Sequence, residues 1–188
     1  MIFPRMNSPR FRYPKKRNGG SFLFWYFLLY SFLGFILEVF FAHFAGVNPH
    51  RKCLRILPLC PVYGLGACSI VWTAEEDLPL IAVFLIGILF ATAWEYIMAA
   101  FYEEVLGASF WDYSDLPLNL HGRVCLPFSA AWGLLAIPLV QWVHPWVSRL
   151  GLQPPPLVTG LMLAALTADG LISCALVLQS GTRDSLDW

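Results

Sequence analysis

The sequence predicts an all-α, polytopic helical membrane protein with about five transmembrane helices. Three observations predict it. The 188 residues are 58% hydrophobic and only 13% charged, where soluble domains run at roughly 45–50% apolar and about 25% charged. The mean hydropathy is +0.63. The apolar residues also gather into five runs near the length of about 20 residues that carries a helix across a bilayer. A water-soluble globule of this size buries too small a share of its chain to hide so much apolar surface. Soluble enzyme, nucleic-acid binder and disordered chain are therefore excluded as readings of the whole chain, and lipid is the expected surround.

Residues 1–20 form a basic tail. It holds Arg5, Arg10, Arg12, Lys15, Lys16 and Arg17, six of the twelve Lys and Arg residues, with Pro4, Pro9, Pro14 and Gly19-Gly20. That composition predicts disorder. Its place before an apolar run predicts a cytoplasmic position beside anionic lipid rather than a nucleic-acid arm. The first run, Ser21–Ala45, is longer than a signal-peptide core of about 7–15 residues. It carries Glu38 and is read as an uncleaved span.

The following runs are Pro58–Trp72, Leu78–Tyr102, Val124–Val143 and Leu157–Leu178, in a single domain over residues 21–178 with a short tail at 179–188. Pro58–Trp72 is short and opens with Pro58, Pro61, Gly64 and Gly66, so it reads as a short tilted helix or a re-entrant segment. With five spans and the N-terminus inside, seven Lys and Arg fall on the inner side and five on the outer, Arg51, Lys52, Arg55, Arg123 and Arg183. A re-entrant second segment makes the division eight to four. Five crossings instead bring Glu38, late in the first span, and Glu95, late in the third, to one face, which is the cheaper arrangement for intramembrane acids.

The polar residues within the spans carry the functional signal. Ser31, Gly34 and Glu38 share one helix stripe, as do Gly87, Ala91 and Glu95, then Ala165, Asp169 and Ser173, and Ser129, Gly133 and Ala136. Small and polar stripes in apolar spans face other helices. Three of them carry one acid each, and such an acid must be protonated, paired or bound to a cation. Glu38, Glu95 and Asp169 are expected to form a polar core lining a path for an ion, a proton or a polar substrate. Arg123 is the expected counter-charge, through a bidentate contact with Glu95. Cys60, Pro61, Tyr63 and Gly64 open the second run and are expected to line the path, because Pro and Gly leave backbone groups free there. The loop Trp111-Asp112-Tyr113-Ser114-Asp115-Leu116-Pro117-Leu118-Asn119-Leu120-His121-Gly122-Arg123 is expected to cover its mouth.

The chain has no GxxxxGK[ST], HExxH, GxSxG or CxxC, and its four His are not at ligand spacing. No cofactor, metal or catalytic residue is implied. Cys53, Cys60 and Cys125 approach one face in the five-span arrangement, and spacing does not choose a disulfide among them.

Tyr30-Ser31-Phe32-Leu33-Gly34 with Glu38, Cys60-Pro61-Val62-Tyr63-Gly64-Leu65-Gly66, Trp94-Glu95-Tyr96, Trp111-Asp112-Tyr113-Ser114-Asp115 with Asn119, Gly122-Arg123-Val124-Cys125, and Ser129 with Trp132-Gly133 occur in that order. Over about residues 24–135 this pattern resembles the CmpB-like, or type IV, family of ABC-transporter permeases, which are small bacterial membrane proteins. The family's Arg-Gly and Gly-Pro before Cys-Pro-x-Tyr-Gly are replaced here by Arg51-Lys52-Cys53 and Leu57-Pro58. The resemblance implies a permease-like component of a transport system in the bacterial plasma membrane, oligomeric or partnered with an ATPase or another membrane subunit. Two other readings of the same acids are an intramembrane enzyme acting on lipid or peptide, with Glu38 or Glu95 as base, and a non-catalytic scaffold or sensor.

Overall fold

The structure, a computed structural model, describes residues 20–45, 53–74 and 78–186. Residues 1–19 of the basic tail lie outside the described residues. The helices are α1 (Gly20–Ala45), α2 (Pro61–Thr73), α3 (Leu80–Leu106), α4 (Leu126–Pro138), α5 (His144–Arg149) and α6 (Pro156–Ser180). A π-helical turn, Leu139–Val143, joins α4 to α5. It carries the backbone past Pro138 and Pro145, so Leu126–Arg149 is one apolar helix that ends six residues beyond the sequence run that stopped at Val143. Four helices, Phe22–Phe44, Leu80–Leu106, Leu126–Arg149 and Pro156–Ser180, are long and apolar enough to cross a membrane. Only 17–22% of each one's apolar window is buried inside the molecule. The outward face is apolar as well, with Phe44, Leu157, Leu171 and Trp142 all exposed. In water this would be a large sticky surface; against lipid it is the required one. The chain is a multi-pass helical membrane protein.

Side-chain neighbours give the directions of the helices. Tyr63 meets Gly34, and Gly64 meets Phe27 and Ser31, so α2 runs antiparallel to α1. Thr92 bonds Ser129 at 2.9 Å, and Gly87 abuts Gly133 and Ala136, so α4 runs antiparallel to α3. Trp25 Nε1 donates to Thr159 at 3.0 Å near the starts of α1 and α6, while Tyr102 and Val177 share a cluster near the ends of α3 and α6. Helices α1, α3 and α6 thus run one way, and α2 and α4 the other.

Helix α2 has 13 residues, about 20 Å at 1.5 Å per residue, short of the roughly 30 Å apolar core of a bilayer. The chain before it, residues 53–60, is a bent leg that folds back on itself, its ends Cys53 and Cys60 lying 5.3 Å apart between Cα atoms. Leu54 and Leu59 of that leg pack with Leu28 of α1 and Met162 and Leu166 of α6. Cys60 N donates to Ser31 O at 2.9 Å, in the middle of α1. Pro61 then starts α2, where a missing N–H costs nothing. Non-helical backbone at this depth must be covered by protein and satisfied, and α6 does both.

Between α3 and α4, the strands β1 (Asn119–Leu120) and β2 (Val124–Cys125) form a small antiparallel hairpin with Leu120 opposite Val124. His121 and Gly122 both have positive φ, and Arg123 N bonds Leu120 O at 3.1 Å, as in a type I′ turn. Beyond α6, Arg183–Leu186 makes one 3-10 turn, and Leu186 is fully buried against the Tyr102, Leu106 and Phe110 cluster.

Candidate functional site

A cavity of about 540 Å³ lies among α1, α2, α3 and α4, with the residue 107–125 loop at one end. Glu38 and Glu95 both line it. The stripes that carry them are inward, as their spacing implies: Ser31, Gly34, Gly87 and Glu95 are buried. Tyr63 Oη donates to Glu38 Oε2 at 2.7 Å. Tyr113 Oη donates to Glu95 Oε1 at 3.1 Å, and Trp132 Nε1 to Glu95 Oε2 at 2.9 Å. The Tyr63 and Trp132 rings meet edge-on at 5.3 Å, and Tyr113 stacks on Phe128 at 4.7 Å. The two acids are therefore joined through an aromatic layer of neutral donors. Burial, then the neighbouring Glu95, raises the Tyr113 phenol well above its usual range, so it stays a protonated donor.

Close packing holds Tyr63 in place. A Cβ on Gly34 would overlap Tyr63 Cβ and Cγ, so a side chain there would push Tyr63 off Glu38. Cys60 and Tyr63 line the cavity, whereas Gly64 faces α1 and Pro61 opens the helix. Trp94 bonds Ser69 at 2.9 Å and ties α3 to α2. Cys53 and Cys60 form a disulfide that closes the leg before α2, and both line the cavity. Cys125 is buried with a free thiol.

Asp169 is not part of this pair. Its carboxylate accepts Ile56 N at 3.0 and 3.2 Å and Leu57 N at 2.6 Å, and Ser173 Oγ accepts Arg55 N at 2.9 Å. The expected three-acid core is thus two acids on the cavity and one acid fastening the leg before α2. The physical reason is that the leg exposes backbone N–H groups where no helical carbonyl is available.

Arg123 does not reach Glu95 either. It bonds Glu103 Oε2 at 2.7 Å and Glu104 Oε1 at 2.9 Å, and lies over the Tyr96 ring, 5.2 Å from its centre. Those two carboxylates, at the end of α3, hold it firmly charged. The i+7 and i+8 spacing from Tyr96 to Glu103 and Glu104 was the readable sign of an acidic, loop-facing helix end.

The loop itself is a scaffold for Tyr113. Asp112 Oδ1 accepts Ser114 N at 2.9 Å and Ser114 Oγ at 2.5 Å, which holds its carboxyl below the usual value. Asn119 Nδ2 donates to Ser114 O and Leu116 O, its Oδ1 takes Gly122 N, and Trp111 Nε1 donates to Arg123 O at 2.8 Å. Trp111 also lines the cavity, while Asp115 is exposed. Trp132 and Phe128 were not singled out as site residues from the sequence. Trp132 sits one turn after Ser129 on the inward stripe of α4, which was the available signal.

The family model described as "Putative ABC-transporter type IV" matches residues 25–176. This stretch takes in α1 to α4 with the cavity and most of α6. No solved structure matches the chain.

Proposed function

Because this chain belongs to the type IV ABC-transporter family, we propose that it is the permease-like membrane component of a transport system in the bacterial plasma membrane. The observation that carries this reading is the cavity with two carboxylates, bounded in part by the non-helical leg that leads into α2. Transporter sites are commonly built where a helix is interrupted, since the freed backbone can line a path. The chain has no P-loop, so an ATPase subunit supplies the energy. Broad apolar helix faces remain for lipid and for a second subunit or copy. The six basic residues before α1 favour a cytoplasmic N-terminus. The Cys53–Cys60 disulfide on the leg that follows α1 favours an oxidising, external face there.

Glu38→Gln tests the reading. Gln keeps the shape of Glu38 and can accept from Tyr63, but it removes the charge. The variant should insert, reach normal abundance and keep its unfolding temperature in detergent, yet lose the cellular transport phenotype, with Glu38→Asp retaining part of it. A fully active Gln variant would remove Glu38 from the path and favour a scaffold.

A further inference from the structure

We infer that the cavity among α1–α4 binds an organic cation, a positively charged nitrogen centre carried on an apolar body of aromatic size. This inference rests on the transport reading of the same cavity and names its substrate class. The first ground is charge. Among the described residues, Glu38 and Glu95 receive hydrogen bonds only from Tyr63, Tyr113 and Trp132, and neither makes an ion pair. A carboxylate offers about four acceptor positions, so each acid keeps capacity for a charged partner. The cavity's basic lining residue, Arg183, donates to Phe110 O.

The second ground is the wall. Phe41, Tyr63, Tyr113, Phe128 and Trp132 line the cavity beside the two acids. Aromatic faces attract cations, and more strongly where water is excluded. The same rings supply apolar contact for the body that bears the charge. The third ground is size and donor set. A volume of about 540 Å³ lies in the usual range for small-molecule sites. Among the described residues no group of three or more His, Cys, Asp or Glu is arranged to hold a metal ion. The arrangement suits a bulky, weakly hydrated cation better than a small hard one, which needs several oxygen ligands.

The test uses the purified full chain in detergent with ethidium as a fluorescent cation, read by anisotropy. Benzyltrimethylammonium and its uncharged carbon isostere, neopentylbenzene, serve as competitors. Saturable binding, displaced by the cation and at least about tenfold less well by the isostere, is expected. The affinity should fall in Glu38→Gln and Glu95→Gln, disappear in the double variant and persist in Asp115→Asn, whose acid lies outside the cavity. Equal displacement by the isostere, or undiminished binding by the folded double variant, would overturn the inference. Should the double variant not fold, photolabelling of the wild type with an azido derivative of ethidium decides: label on Phe41, Tyr113 or Trp132 supports the site, and label only elsewhere refutes it. A wild type that fails to bind the cation refutes the inference even if Glu38→Gln abolishes transport. Saturable cation binding upholds it even if transport is unaffected, which would overturn only the transport reading.

Discussion

Glu38, Glu95 and Asp169 are alike in the sequence, each an acid on a small-residue stripe of an apolar helix, and they differ in what faces them. Glu38 and Glu95 face a cavity and take bonds from phenols and an indole. Asp169 is buried and takes two backbone N–H groups of the leg before α2. Replacing it should therefore damage the fold rather than the chemistry. In Asp169→Asn, an amide oxygen at the Oδ2 position keeps Leu57 N but sets the NH2 donor against Ile56 N at the Oδ1 position, and the flipped amide sets it against Leu57 N. Leaving one buried donor unmet costs about 1–3 kcal/mol. Thermal unfolding in detergent should show a clear loss of stability for Asp169→Asn and little change for Glu38→Gln. The reverse order would mean that the roles have been exchanged.

The element that most depends on local geometry is the 107–125 loop, because it carries Tyr113 to Glu95. Gly122 has φ +69°, and a Cβ there would lie 2.6 Å from Ser114 Oγ and 2.7 Å from Asp112 Oδ1. Gly122→Ala should cost about 1–3 kcal/mol through backbone strain and weaken the contact of Tyr113 with Glu95. An unfolding midpoint equal to wild type would show that the loop adapts. The same loop returns Arg123 to the end of α3. In double-mutant cycles on unfolding, Arg123→Gln should couple measurably to Glu103→Gln and act additively with Glu95→Gln. Coupling to Glu95 alone would contradict the ion pairs at 2.7 and 2.9 Å.

At the scale of the molecule, the leg before α2 is closed by one disulfide, and the orientation of the bundle is tested by which thiols react from outside. Alkylation of the denatured chain before reduction should modify three of its five cysteines, Cys68, Cys125 and Cys174, and reduction should release Cys53 and Cys60. In a background lacking the three free thiols, a membrane-impermeant maleimide should label Asp115→Cys in intact cells. Asn18→Cys should be labelled only after the membrane is opened. Labelling of Asn18→Cys in intact cells would invert the orientation.

The class, the spans and their inward faces were legible in residue order alone. Apolar length and 3.6-residue spacing are local properties, and in lipid a backbone that must satisfy itself has little choice but a helix. The predicted runs accordingly lie within a few residues of the helices, apart from the stretch past His144 and Pro145, where a π-turn let the helix continue. The sequence also singled out Glu38, Glu95, Tyr63 and Tyr113. It could not pair them, since a carboxylate's partner is chosen by what packs opposite it. Tertiary contacts alone joined Glu95 to Trp132 across α3 and α4, turned Arg123 to Glu103 and Glu104, and selected Cys60 over Cys125 as the partner of Cys53. They also set Asp169 against the leg before α2, because a non-helical segment inside a helical bundle exposes N–H groups that a side chain from a neighbouring helix can meet.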